Sequence, residues 1–199
     1  MTAFHIRPYE HYCTEEILPL YEAVGWTNYT QRPDMLRDAF AGSRDVLAAY
    51  DGTQLVGILR AVGDGASILY VQDILVQPRW QRRGVGSALI EHSRSLAAQK
   101  GYPALLILGD PHNYCRHGFK TGKDLGVSTL DGRYPLGLLV LELRRGFFAS
   151  SPQWAFQTSA AYEFDAAQVD AYDARFPPKE KKHQHSQDLF SMLVRAVVD

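Results

Sequence analysis

Apolar positions along this chain follow two rhythms, one helical and one strand-like, and the two alternate. Residues 15–24 carry Ile17, Leu20, Tyr21 and Val24 at helical spacing, and Gly25 closes the run. Residues 33–40 repeat that spacing with Met35, Leu36 and Phe40. Residues 4–7, 45–50 and 54–62 read as strands, the last two joined at Asp51-Gly52, a two-residue hairpin signal. Asp64-Gly65 then turns the chain into a further strand, LYVQDILVQP. Residues 85–100 read as the main helix, with Val85, Leu89, His92 and Leu96 on one face and Gly101 and Pro103 to stop it. LLIL at 105–108 and LGLLVLEL at 136–143 are short apolar runs fit for buried strands.

Three antiparallel strands followed by a strand–helix–strand unit predict an α/β (α+β) fold. Its centre is a mixed, mostly antiparallel sheet flanked by helices. Residues 1–145 hold this pattern and form the predicted domain; residues 146–199 are a C-terminal extension. Within the extension, 155–164 reads as an added strand, and Val169, Tyr172 and Phe176 suggest a short helical face. Residues 177–182, PPKEKK, are a polar break. Leu189, Phe190, Leu193, Val194 and Val197 then mark an amphipathic helix that must pack on the domain or across a homodimer.

Composition narrows the function classes. A chain of 199 residues is long enough for one full core and too short for two ordinary domains. A formal net charge of −1 gives no reason to expect nucleic acid as a partner. No apolar run is long enough to span a membrane, and MTAFHIRPYEHY lacks the basic and apolar regions of a secretory signal. Cys13 and Cys115 make neither a disulfide framework nor a metal pattern, so a cytoplasmic setting is expected. Cys115 reads as a small packing residue and not as a nucleophile, because no His/Asp arrangement accompanies it. His183 and His185 lie at the polar break without a third ligand, so no metal is expected.

The chemistry is concentrated in residues 68–101, where an apolar strand, a basic glycine turn and a helix follow one another. A glycine turn opening a helix binds anions, because the first N–H groups point outward and the helix dipole favours negative charge there. A dinucleotide fingerprint is excluded, since Gly84-Val85-Gly86-Ser87-Ala88 leads to Leu89 where a third glycine belongs. A Walker loop is excluded, since no Gly-Lys-Ser/Thr follows. What remains is Gln81-Arg82-Arg83-Gly84-Val85-Gly86, a Q-x-x-G-x-G pattern. An ordinary βα turn with solvated arginines is the plain alternative.

A second segment, LLILGDPHNYCRHGF at 105–119, has Asp110 as an N-cap, Pro111 at the first helical position and Gly118 as the stop. That makes a helix of barely two turns around Tyr114. The plain alternative for Tyr114 is a half-buried aromatic with its hydroxyl bonded to backbone or water.

Together the strand LYVQDILVQP, the Q-x-x-G-x-G loop, the helix SALIEHSRSLA and the wording GDPHNYCRHGF resemble the GNAT superfamily, the N-acetyltransferases that use acetyl-CoA. The resemblance covers residues 1–145 and implies the GNAT fold with acetyl-CoA as co-substrate. It implies that Gln81, Arg82, Arg83, Gly84, Val85, Gly86 and Ser87 hold the pyrophosphate. Ile74, Leu75 and Val76 would run beside the pantetheine arm. Tyr114, four residues before Gly118-Phe119, would lie near the CoA sulfur and protonate the leaving thiolate. The family's frequent asparagine earlier in this segment is not evident here. The backbone N–H of Val76 would polarise the thioester carbonyl, beside a splay in the sheet.

Asp73 is the candidate base, because it lies on the strand before the loop; its alternative is a structural carboxylate paired with an arginine such as Arg60. A water chain without a single base is a third arrangement. Trp26, Tyr29 and Arg32 lie where the acceptor pocket usually opens in this fold, and Trp26 and Tyr29 are the candidate substrate contacts. The implied activity is direct acetyl transfer from acetyl-CoA to an amine, carried by a small molecule or a peptide. The competing reading is a non-catalytic GNAT-fold module that senses CoA or a related phosphorylated ligand.

Overall fold

The structure, a computed structural model, describes residues 4–66, 68–151, 153–157, 165, 167, 171, 174 and 185–198, with the side chains of 185, 186, 190 and 194 left aside. Strand β1 (His5–Pro8) leads into helices α1 (Thr14–Ala23), α2 (Thr27–Thr30) and α3 (Pro33–Ala41). Strands β2 (Asp45–Asp51), β3 (Gln54–Gly63) and β4 (Leu69–Val76) then pair antiparallel in succession, with β1 antiparallel on the outer side of β2. Gly52, at φ +57°, makes the β2–β3 turn together with Thr53, one residue later than Asp51-Gly52, because Asp51 still pairs with Gln54. Helix α4 (Val85–Gln99) crosses over to β5 (Ala104–Leu108), which runs parallel to β4.

Beyond β5 come α5 (Pro111–Tyr114), β6 (Lys120–Thr121), α6 (Gly122–Leu125), β7 (Val127–Thr129), β8 (Leu138–Glu142), β9 (Trp154–Phe156) and α7 (His185–Arg195). Among the described residues, seven strands form one sheet in the order β1-β2-β3-β4-β5-β8-β6, and β7 pairs β9 in a second. The predicted mixed, mostly antiparallel sheet flanked by helices is therefore the observed fold. The elements between 120 and 129 went unpredicted because none is long enough to show a period.

The sheet has a separate core on each face. Val85, Leu89, Ile90 and Ala97 of α4 pack with Leu59, Val71 and Leu105 on one side. Ile17, Leu20 and Tyr21 of α1 and Leu36 and Phe40 of α3 pack with Ile58 and Leu75 on the other. Each large apolar side chain buried this way contributes ~1.5–3 kcal/mol before ordering costs. The buried face of α4 includes Ser93, whereas His92 is exposed and bonds back to Ala88 O at 3.1 Å. The period of 3.6 residues carries the stripe from Leu89 to Ser93 rather than His92.

The region after residue 145 is covered in part. Phe148 and Phe156 pack with Ala104, Leu106, Val127, Leu138 and Val140 against the β5–β8 end of the sheet. Of the predicted strand at 155–164, residues 155 and 156 fall in β9; residues 158–164 lie outside the described residues, as do Val169, Tyr172, Phe176 and the polar break at 177–182. Helix α7 is present, but it ends at Arg195, so Val197 of the predicted stripe lies beyond it in a bridge to Pro135, and Leu189 is 46% exposed. The chain after α7 pairs with residues 134–136, through Leu136 N–H to Ala196 O at 2.9 Å and Val198 N–H to Tyr134 O at 2.8 Å. No helix among the described residues is long and apolar enough to cross a membrane.

Candidate active site

Local sequence builds the anion loop. After β4 the chain makes a 3₁₀ turn, Pro78–Trp80, and Trp80 is buried in the α4-side core with Phe4 edge-on at 6.4 Å. That ring anchors the loop, and the Arg83 guanidinium lies 5.5 Å from its centroid. The exposed Gln81 reaches back to donate to Val76 O at 3.1 Å. Arg82 takes φ +59°, an uncommon state for a residue with a Cβ, and Gly84 takes φ +87° as the N-cap of α4. Gly84 has no side chain to cap the helix, and the first helical bond is Ala88 N–H to Gly84 O at 2.9 Å. The N–H groups of Val85, Gly86 and Ser87 are thus left at the positive end of a 15-residue helix.

Gly86 is informative for a different reason than Gly84. Its φ is not positive, and a Cβ there would meet nothing nearer than Val76 Cγ2 at 3.9 Å. The protein's own packing does not require glycine at 86. The free space over its Cα is what a group approaching the helix N-terminus would occupy, so the loop fits a pyrophosphate.

Beside the loop the sheet opens. Parallel pairing of β4 with β5 is confined to Leu69–Leu105 and Tyr70–Leu106, and the strands part after that. Gln77 N–H bonds Val56 O at 2.9 Å, so Val76, opposite Gly57, turns its N–H and C=O away from β3. The same alternation turns the backbone polar groups of Ile74 toward the gap and those of Leu75 toward β3. Of the three residues expected beside a pantetheine arm, Ile74 and Val76 face the gap. Leu75 sits in the α1–α3 core.

A bulge decides where Asp73 points. Arg60 is opposite Asp73 and Ala61 is opposite Val71, which leaves Gln72 as the extra residue of β4. Before the bulge Leu69 and Val71 face α4; after it Ile74 and Val76 face α4 and Leu75 faces α1 and α3. Asp73 therefore lies on the α1–α3 face, 1% exposed. Its Oδ2 accepts from Arg60 Nε at 2.6 Å and from Tyr21 Oη at 2.7 Å. Arg60 also donates to Ala39 O and Ser43 Oγ, both at 3.2 Å. Burial is the largest single influence and opposes the guanidinium charge, but the Asp73 carboxylate together with the Tyr21 and Tyr29 phenols moves the Arg60 pKa up. Burial first, then Asp73, push the Tyr21 phenol far up, so it stays a donor. Asp73 Oδ1 is buried and has no hydrogen bond among the described residues. Asp73 and Gln72 form one wall of an open cleft of about 290 Å³ whose other wall is Gly25, Trp26, Asn28 and Tyr29. Trp26 and Tyr29 are stacked, with centroids 6.0 Å apart.

Tyr114 stands on the opposite side of the gap. Asp110 caps α5 by accepting from His112 N–H at 2.9 Å, and Gly118 stops the following 3₁₀ turn at φ +89°. The Tyr114 ring packs on the α4-side core and meets Phe119 edge-on at 5.9 Å. Gly109 makes room for it, because a Cβ there would fall 2.5 Å from Tyr114 Cε2. The hydroxyl bonds to none of the described residues. Burial, followed by the Asp110 carboxylate, pushes its pKa up to about 12. Arg116, two residues on, donates to Ser87 Oγ at 3.4 Å, joining this segment to the first turn of α4.

Known proteins share the family and the fold. Residues 42–121 match the model of the acetyltransferase (GNAT) domain. A GNAT family acetyltransferase from Streptococcus pneumoniae TIGR4 is 34% identical, over 61% of this chain and 91% of that one, with a TM-score of 0.53. This chain belongs to the GNAT superfamily. Two further GNAT structures share the fold at lower identity. An N-acetyltransferase from Escherichia coli, solved in complex with CoA, is 18% identical over 77% of this chain and 89% of that one, TM-score 0.66. An acetyltransferase from Brucella melitensis, solved in complex with acetyl-CoA, is 23% identical over 82% of this chain and 100% of that one, TM-score 0.58. No curated protein sequence matches the chain.

Within the GNAT frame the sequence-predicted residues divide by face. Gln81–Ser87, Ile74, Val76 and Tyr114 gather on the α4 side, and Asp73, Trp26 and Tyr29 gather across the sheet. Tyr21 was legible only as a helical core position, yet it is a buried donor to Asp73. Arg116 carried one signal, the arginine two residues after Tyr114 in GDPHNYCRHGF. Cys115, expected to pack, is exposed. Among the described residues no group of three or more His, Cys, Asp or Glu side chains is placed to hold a metal ion.

Proposed function

We propose that this GNAT protein is an N-acetyltransferase that moves an acetyl group directly from acetyl-CoA to an amine. The observation that carries this reading is the β4–β5 gap, with an anion loop and Tyr114 on one face and a carboxylate-walled cleft on the other. Val85, Gly86 and Ser87 would hold the pyrophosphate through their N–H groups, with Arg82, Arg83 and Arg116 adding positive charge. Ile74 and Val76 would bond the pantetheine arm as an added strand bonds a sheet edge. Acetyl-CoA supplies the acetyl group as a thioester.

The Val76 N–H is turned to donate to the thioester carbonyl oxygen, where negative charge grows as the amine attacks. The amine enters from the α1–α3 face and loses its extra proton to Asp73 or through water to the cleft mouth. The C–N bond forms and the C–S bond breaks; Tyr114 donates its proton to the departing sulfur, and the second proton shed by the nitrogen as it becomes an amide restores the phenol. With its phenol near 12, Tyr114 holds its proton at every working pH. The reading implies a cytoplasmic enzyme, with residues 146–199 packed on the domain or across a homodimer.

Thiol release in the presence of an amine panel tests the proposal. An amine-dependent rate matched by N-acetylated product supports it. Slow acetyl-CoA turnover that no amine accelerates would favour the alternative, a GNAT-fold module that senses CoA.

A further inference from the structure

Asp73 borders the cleft of Gly25, Trp26, Asn28, Tyr29 and Gln72, yet it is 1% exposed. Both of its oxygens are closed to an incoming amine. Oδ2 already accepts from Arg60 Nε at 2.6 Å and Tyr21 Oη at 2.7 Å, and Oδ1 is buried. The guanidinium paired with it is itself buried and tied to Ala39 O and Ser43 Oγ. Protonating the carboxylate would leave Arg60 buried without its counter-charge, which is strongly unfavourable.

What the pair does reach is the acceptor-side wall. Arg60 and the Gln72 side chain both reach the Tyr29 hydroxyl. The Tyr21 ring lies 5.3 Å from Tyr29 and meets Trp26 edge-on at 6.1 Å, while Trp26 and Tyr29 stack at 6.0 Å. Helix α2, which carries Tyr29, has four residues, no buried side chain and no side-chain cap. So short a helix is not stable alone. Its place is set by the Tyr21 ring behind it and by Arg60, which the bulge at Gln72 brings opposite Asp73.

We infer that Asp73 is a positioning residue and not the base. With Arg60 it holds Tyr29, and through Tyr29 it holds Trp26, in the orientation that forms the acceptor wall. The ammonium proton leaves to water at the open mouth of the cleft, and the carboxylate keeps its charge throughout, so Arg60 stays paired during turnover. The inference rests on the transferase reading and assigns roles within it.

The test combines amine kinetics with backbone hydrogen exchange. Free-thiol release is followed with whichever of phenethylamine, spermidine, glucosamine and lysine ethyl ester is turned over fastest. Asp73→Asn should raise the amine KM roughly 3–10-fold, as expected for one lost hydrogen-bonded link, with kcat at saturating amine within about 3-fold and the acetyl-CoA KM unmoved. Tyr29→Phe should raise the amine KM in the same way, and the two substitutions together should add little, because both release the same wall. The amides of Tyr29, Gln31 and Arg32, which bond within this turn, should exchange roughly 3–10-fold faster in Asp73→Asn, and those of α4 at the wild-type rate. If Asp73→Asn does not fold, Asp73→Leu combined with Arg60→Met removes both charges together, and the same expectations apply. A kcat loss of at least about 100-fold in either folded variant would identify a base and overturn the inference. So would an unchanged amine KM. If none of the four amines accelerates thiol release, the transferase reading fails, and the exchange rates decide whether Asp73 holds the wall: unchanged rates overturn that as well.

Discussion

Replacing Gly86 by alanine should make the free protein more stable and its complex with CoA weaker. Gly86 lies in the first turn of α4 without a positive φ, and a Cβ there would sit 3.9 Å from Val76 Cγ2, an ordinary contact. Alanine at a compatible position stabilises by roughly 0.4–1 kcal/mol, through the lost freedom of the unfolded chain. For a chain of this size that is about 1–4 °C in Tm. Gly84 is the control. Its φ of +87° strains any residue with a Cβ, so Gly84→Ala should lower stability by roughly 1–2 kcal/mol. CoA at ~100 times its Kd stabilises by about 2.7 kcal/mol, and a 100-fold loss of affinity leaves roughly 0.4 kcal/mol. Thermal melts of the three proteins with and without CoA should therefore show free Tm values in the order Gly86→Ala, wild type, Gly84→Ala, with the CoA shift nearly absent from Gly86→Ala. A full CoA shift in Gly86→Ala would refute the pyrophosphate assignment, and a lower free Tm would refute the packing argument.

The remaining predictions concern Tyr114, alkaline stability and the chain end. Tyr114→Phe should reduce kcat roughly 10²-fold with little change in CoA affinity. Because the phenol is pushed up to about 12, no fall in rate below pH 10 should disappear with that substitution. Gly109→Ala, whose Cβ would collide with the Tyr114 ring at 2.5 Å, should lower kcat in the same way and add little to Tyr114→Phe in the double variant. Tyr9, Tyr21 and Tyr114 all have raised phenol pKa values in the folded state against an ordinary value of 10.0. Above about pH 10 the unfolded chain releases protons that the folded chain retains, so urea unfolding should show stability falling from there upward, less steeply in Tyr21→Phe. Deleting residues 185–199 removes the backbone bonds to Tyr134 and Leu136, which should cost roughly 1–3 kcal/mol or change the oligomeric state. Light scattering and melting curves identical to wild type would contradict this.

The features legible in the sequence were those written locally. The Q-x-x-G-x-G loop, the Asp110 cap and the Gly118 stop each depend on a few adjacent residues, and each appears where its residue types place it. The face of Asp73 was not legible, because the bulge at Gln72 exists only in register with Arg60 and Ala61 of the neighbouring strand. Tyr21 lies 52 positions from its partner Asp73, and no periodicity reports a bond across that distance. The α7 stripe shows the reverse failure. Helical spacing identified the element but carried it on to Val197, past its end at Arg195, and the exposure of Leu189 depends on what the helix lies against.

Direct transfer across the β4–β5 gap is tested most directly by following acetyl-CoA that carries ¹⁴C in its acetyl group, with an amine that accelerates thiol release as the acceptor. One thiol should appear for each labelled N-acetyl product, with no label retained on the protein. Thiol release without N-acetylated amine, or label covalently held by the protein on the way to product, would contradict it.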